Sequence, residues 1–139
     1  MRVTIVIIPA GKAGVLEAAA KAMATEIGKQ GHEVELLVGA KGQTNRLAMS
    51  EYLVFGTEPV GLAGKLPPRI GEILAQATGL TGKRGMAFVL KRGPFRNKTL
   101  PRLMKAMEAQ GMTVNYGEVV KNAAEAALAA RDAPIERHR

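Results

Sequence analysis

The stretch "TIVIIPAGKAGVLEAAAKAMATEIGKQGHEVELLV", Thr4–Val38, decides the architecture. From Val3 to Ile8 every residue is β-branched, the pattern of a strand buried on both faces. A tight turn with Gly11 and Gly14 follows. Apolar residues, mostly Ala, then recur at helical spacing from Val15 to Lys29, and Gly28 and Gly31 close the run. "HEVELLV", His32–Val38, is a second strand. Two strands joined through a helix lie parallel in one sheet, with the helix on its face.

The pattern continues outward. "GAKGQTNRLAMS", Gly39–Ser50, is a polar connection with room for one helical turn, and "EYLVFGT", Glu51–Thr57, is a third strand. "EPVGLAGKLPP", Glu58–Pro68, is a long Gly/Pro loop. The helix "RIGEILAQATG", Arg69–Gly79, opens at Pro67-Pro68, where proline is tolerated. "KRGMAFVLK", Lys83–Lys91, is a fourth strand, and "RGPFRNK", Arg92–Lys98, is a loop. Thr99 is expected to cap a helix that begins with Pro101 and ends at Gly111. "MTVNYGEVV", Met112–Val120, is a fifth strand, irregular around Gly117. Asn122 caps a last Ala-rich helix to Arg131, and the tail "DAPIERHR" is expected to fray. One domain over residues 1–132, with a tail over 133–139, accounts for the chain. In such a sheet, ligands bind beyond the carboxyl ends of the strands, where the strand order reverses. The loops there are Pro9–Gly14, Thr57–Lys65 and Lys91–Lys98, the three richest in Gly and Pro. Long loops in a small domain are more often functional than idle.

Composition narrows the chemistry. The 139 residues are 47% hydrophobic but only 4% aromatic, so the core is aliphatic. Without cysteine there is no disulfide framework, thiol catalysis or Cys-based metal site. No apolar run approaches the roughly 18 residues of a membrane span. The run at Met1 to Ile8 is too short for a signal peptide. A cytoplasmic protein without a membrane segment is the expectation. Net charge is +8, and its excess lies in Lys83, Arg84, Lys91, Arg92, Arg96, Lys98, Arg102 and Lys105, a segment that no acid interrupts. Such a segment is either a solvated face or a surface for an anionic ligand or an acidic protein.

Three segments together resemble the flavodoxin-like family, whose members carry FMN. They are "YLVFGTEPVGLAGKLPPRIGEIL", Tyr52–Leu74; "GKRGMAFVLKRGPFRNKTLPRLMKAMEAQGMTV", Gly82–Val114; and the opening strand, turn and helix. Their order and spacing carry the likeness over nearly the whole chain. It implies an α/β three-layer sandwich with a five-stranded parallel sheet of order 2-1-3-4-5. It also implies FMN as cofactor and electron transfer as function. The family cradles the FMN phosphate with a turn like S/T-x-T-G-x-T, using backbone N–H groups at a helix N-terminus and side-chain hydroxyls. The counterpart here is Ala10, Gly11, Lys12, Ala13 and Gly14, after Pro9. Gly11 stands at the family glycine, and Pro9, Ala10 and Ala13 stand at the hydroxyl positions, so the hydroxyls are gone. Backbone donors and the charge of Lys12 remain. The same resemblance sets the flavin ring between Thr57, Glu58, Pro59, Val60 and Gly61 on one side and Arg92, Gly93, Pro94 and Phe95 on the other. Phe95, the only aromatic in these loops, is the candidate to stack on it.

Family electron carriers are typically acidic, whereas this chain is basic. The implied redox partner is therefore acidic. Two alternatives stay open: a flavin-free module that uses Arg92 and Arg96 to bind an anionic ligand or acidic partner, and a flavin-dependent reductase. Other motifs fail. "GKAG" lacks the spacing and hydroxyl of a P-loop, and no G-x-G-x-x-G occurs. A phosphoacceptor domain needs strand-end aspartates, and the only Asp is Asp132. Glu58 is placed to act as a base, but no His or Ser partner is evident. His32 and His138 read as surface histidines. Metal-ligand spacing is absent, and nucleic-acid binding lacks interleaved aromatics or a reader motif.

Overall fold

The computed structural model describes residues 1–11, 14–39, 44–61, 63–92 and 98–136. Five strands form one sheet: β1 (Arg2–Ile8), β2 (Glu33–Val38), β3 (Tyr52–Thr57), β4 (Arg84–Leu90) and β5 (Thr113–Val120). All neighbouring pairs are parallel, in the order β2-β1-β3-β4-β5. The helices are α1 (Gly14–Lys29), α2 (Pro68–Gln76), α3 (Thr99–Glu108) and α4 (Ala123–Asp132), with a short 3-10 helix at Thr44–Met49.

Strand alternation divides the core into two layers. Val3, Ile5 and Ile7 of β1 pack with Leu16, Ala19, Ala20 and Met23 of α1 and with the alanines of α4. Val6 and Ile8 face Ile70, Ile73 and Leu74 of α2 and Leu103 and Met107 of α3. Ala at 126, 129 and 130 in α4 lets that helix lie close beside α1. β1, β3 and β4 are buried on both faces, as their apolar runs require.

Several local expectations change. Thr99 is not a cap. It lies inside α3, preceded by Lys98, and its hydroxyl donates to the Gly64 carbonyl instead. The irregularity in β5 falls at Asn115 rather than Gly117. Gly85 pairs with Val114 and Met86 with Tyr116, leaving Asn115 as the extra residue of a bulge. The Asn115 carboxamide takes the Tyr52 hydroxyl at 2.6 Å, which occupies the side chain that the ladder passes over. His32 is buried, with Nδ1 3.3 Å from the amino-terminal ammonium. The chain after α4 does not fray over 133–136, where Ala133 and Ile135 sit in the α1/α4 core layer. Asn122 caps α4 as expected, its Oδ1 accepting from the Glu125 amide at 3.0 Å.

Candidate functional site at the carboxyl end of the sheet

β1 and β3 are neighbours, with Ile8 beside Thr57 at their carboxyl ends. From β1 the chain crosses to β2 on one side, whereas from β3 it proceeds to β4 on the other. The strand order therefore reverses between β1 and β3, the place where open α/β sheets bind their ligands. Glu58 is the first residue out of β3. Its side chain is only 4% exposed. A carboxylate buried this deeply needs its charge and lone pairs satisfied, and both are. Oε2 accepts the Ala10 backbone N–H at 3.0 Å. Oε1 accepts from Arg92 Nε at 3.0 Å and Nη2 at 2.5 Å. One carboxylate thus ties together all three predicted loops through charge-assisted bonds. Arg92 keeps about half of its side chain in solvent.

The other predicted residues take different roles. The Thr57 hydroxyl is buried and donates to the Ile8 carbonyl at 2.5 Å, so it braces β3 against β1. Pro59 is half-buried, and Val60 and Gly61 are exposed. The Val60 amide donates to the Lys65 carbonyl at 2.9 Å and closes the loop into a small antiparallel bridge. The left-handed backbone of Gly61 and Gly64, both at φ 71°, makes that closure possible. From outside, α3 holds the loop: Thr99 Oγ1 donates to the Gly64 carbonyl at 2.9 Å and Arg102 Nη1 to the Ala63 carbonyl at 2.7 Å. Ala10, Gly11 and Gly14 are exposed, and a Cβ added at either glycine would meet nothing within 4 Å. Lys12, Ala13, Gly93, Pro94, Phe95 and Arg96 lie outside the described residues, so the expected stack on Phe95 and the charge of Lys12 do too.

The basic segment does not form one patch. Lys83 and Arg84 lie at the amino end of β4. The Lys83 ammonium donates to the Ala48 carbonyl at 2.8 Å, and the Arg84 guanidinium stands over the Tyr52 ring. Lys91 and Arg92 lie at the other end of this seven-residue strand, about 20 Å away at the usual rise per residue. Among the described residues of this segment, the cations at the site end are Lys91, Arg92 and Lys98, with Arg102 and Lys105 further along α3.

Sequence reasoning found Ala10, Glu58 and Arg92 one by one but not their junction. Glu58 lies 48 residues from Ala10 and 34 from Arg92. The usable signal was an acid directly after a buried strand, next to a Gly turn. The supporting roles of Thr99 and Arg102 had no signal, since Thr99 before Pro101 reads as a cap. Chemically, the site offers a helix-start turn whose first amide already faces a carboxylate, two glycines at which an added Cβ would meet nothing within 4 Å, and an Arg92 guanidinium half in solvent. The first amide of this turn is engaged by a carboxylate of the chain itself, and no hydroxyl side chain stands at Pro9, Ala10 or Ala13.

No protein-family model and no curated protein sequence matches the chain. Solved structures do. Oxidised flavodoxin 1 from Bacillus cereus superposes with a TM-score of 0.80 over 100% of this chain and 99% of that one, at 16% identity. A flavodoxin from the domain Archaea gives 0.77 over 98% and 95%, at 18% identity. The two-electron reduced flavodoxin of Megasphaera elsdenii gives 0.74 over 91% and 98%, at 17% identity. With the sheet order and the three-layer packing described above, these likenesses show that the chain has the flavodoxin-like fold.

Proposed function

We propose that this protein is a flavodoxin-like electron-transfer module that carries a flavin, with FMN the ligand implied by the fold. The observation that carries the reading is the convergence of the loops after β1, β3 and β4 on Glu58 at the switch point. The structural neighbours include one protein in an oxidised and one in a two-electron reduced form, which is the behaviour expected of a redox carrier. Bound FMN would supply reversible electron uptake. The chain's own part is to hold and orient it. With the Ala10 amide engaged by Glu58, the amides of Gly11 and Gly14 at the start of α1 and the charge of Lys12 would face the phosphate end of the flavin, aided by the helix dipole. Residues 58–61 and 92–95 would flank the ring, with Phe95 stacked on it. Backbone groups of the 57–65 loop would hydrogen-bond the flavin edge without needing polar side chains. Lys91, Arg92 and Lys98 give the rim a positive cast, which suits an acidic redox partner.

The test is a titration of the purified protein with FMN, by flavin fluorescence and visible absorbance. Micromolar binding is expected. Phe95→Ala should weaken it by about tenfold, the worth of one aromatic stack. Absence of binding at about 100 µM FMN, a regime near −5.5 kcal/mol, would overturn the reading. Binding untouched by Phe95→Ala would remove Phe95 from the site.

A further inference from the structure

The Ala10 amide is the first donor of the turn that the fold uses for an anion, and it is already taken. Its partner is not a solvent-exposed side chain that can swing aside freely. Glu58 is 3% exposed, follows the last residue of a central strand, and is held from the other side by two N–H groups of Arg92. A single N–H cannot serve a carboxylate and a phosphate oxygen at full strength together. A phosphate monoester carries close to two negative charges, and its repulsion from a desolvated carboxylate a few ångströms away is large. Arg92 does not relieve this, because its charge is matched by Glu58 itself. Net charge at the junction of Ala10, Glu58 and Arg92 is zero, where a phosphate site needs a positive one.

We propose that Glu58 is the specificity-determining residue of this site: an internal anion that occupies the phosphate position and removes the preference for phosphorylated flavin. The protein then takes riboflavin, or a flavin whose substituent at that place is neutral, at least as well as FMN. This rests on the flavin-carrier reading for its ligand, but not for its chemistry. The plug acts on any phosphate that approaches the turn.

Two probes separate the two ideas. The first is inorganic phosphate, followed through the amide NMR shifts of Ala10, Gly11 and Gly14 in the wild type and in Glu58→Gln. The substitution keeps shape, deletes the charge and releases Arg92 as a free cation. Phosphate affinity should rise at least tenfold. In Glu58→Gln/Arg92→Gln much of the gain should vanish, because the freed guanidinium supplies part of it. Equal phosphate shifts in the wild type and Glu58→Gln overturn the proposal. The second probe is the ratio of FMN to riboflavin dissociation constants. In the wild type it should be one or higher, and in Glu58→Gln it should fall at least tenfold. A wild type that prefers FMN tenfold or more overturns the proposal without recourse to any variant. Should neither flavin bind while Glu58→Gln gains phosphate, the carrier reading falls and the plug stands.

Discussion

Tyr52 opens β3 at the end of the sheet far from Glu58, and its chemistry is set by burial. The ring is fully buried, the hydroxyl donates to Asn115 Oδ1 at 2.6 Å, and the Arg84 guanidinium lies 5.6 Å from the ring centre. Burial pushes the phenol well above its ordinary value, and the positive charge of Arg84 offsets this only in part. The folded protein thus keeps a proton that the unfolded chain releases near pH 10. The stability this contributes is complete below about pH 10 and is lost as pH rises past it. Tyr52→Phe should cost about 1 kcal/mol near neutrality through the lost hydrogen bond. In urea denaturation at a series of pH values, the gap between wild type and Tyr52→Phe should close above about pH 10. A constant gap would show that the phenol titrates alike in both states. Gly56 is governed by shape instead. A Cβ there would lie 2.2 Å from the Phe88 ring on the paired strand. Gly56→Ala should therefore destabilise by about 1–3 kcal/mol or more, the cost of overfilling a packed layer, read as a lower urea midpoint. Neither effect was visible along the chain. "FGT" reads as a strand end, and only the register reveals that Phe88 covers the glycine.

Elements were more legible than their junctions. The β-branched run before Gly11 and the Ala-rich run after it could only be a buried strand and a packed helix. The Pro67-Pro68 pair could only start α2, where Pro68 is the first helical residue. What stayed hidden were bonds between loops, because a hydrogen bond leaves no periodic trace in sequence. The loop over residues 57–65 illustrates this. Its Gly and Pro content announces a loop, but the side chains that bond it to α3 are Thr99 and Arg102. Thr99 is fully buried and its hydroxyl reaches the Gly64 carbonyl, so Thr99→Val leaves that carbonyl short of a donor. The expected outcome is a loss of about 1–3 kcal/mol, concentrated in the loop. Hydrogen exchange should show it: the Val60 amide, which donates to Lys65, should exchange about tenfold faster or more. Amides of β1 and β3 should slow or hold by comparison with that change. Uniform acceleration across the sheet would mean that Thr99 serves the core as a whole and not the loop.

At the scale of the molecule, two apolar layers enclose one sheet, and the charge excess is divided between the sheet's two ends rather than gathered on one face. The sequence placed eight cations in one segment, but a strand inside that segment carries them apart. The layer formed by α1 and α4 has a further component, which the sequence presented as a polar, fraying end. Ile135 is 1% exposed and belongs to the same cluster as Val3, Met23 and Phe88. The turn carrying it is fastened: the Ala133 amide donates to Ala129, and the Pro134 carbonyl faces Arg84 Nη1 and Asn115 Nδ2, each at 3.5 Å. A lone isoleucine among "DAPIERHR" gives no periodic signal, and the charged residues that follow it mask it. Removing its side chain should open a cavity at the end of the α1/α4 layer. Ile135→Ala should then cost about 2–4 kcal/mol, a large share of the roughly 5–15 kcal/mol that holds a domain folded. The loss should appear in one cooperative urea transition with an unchanged slope, since the layer belongs to the single core. A change below about 0.5 kcal/mol is what an exposed position gives, and that result would detach the segment 133–136 from the fold.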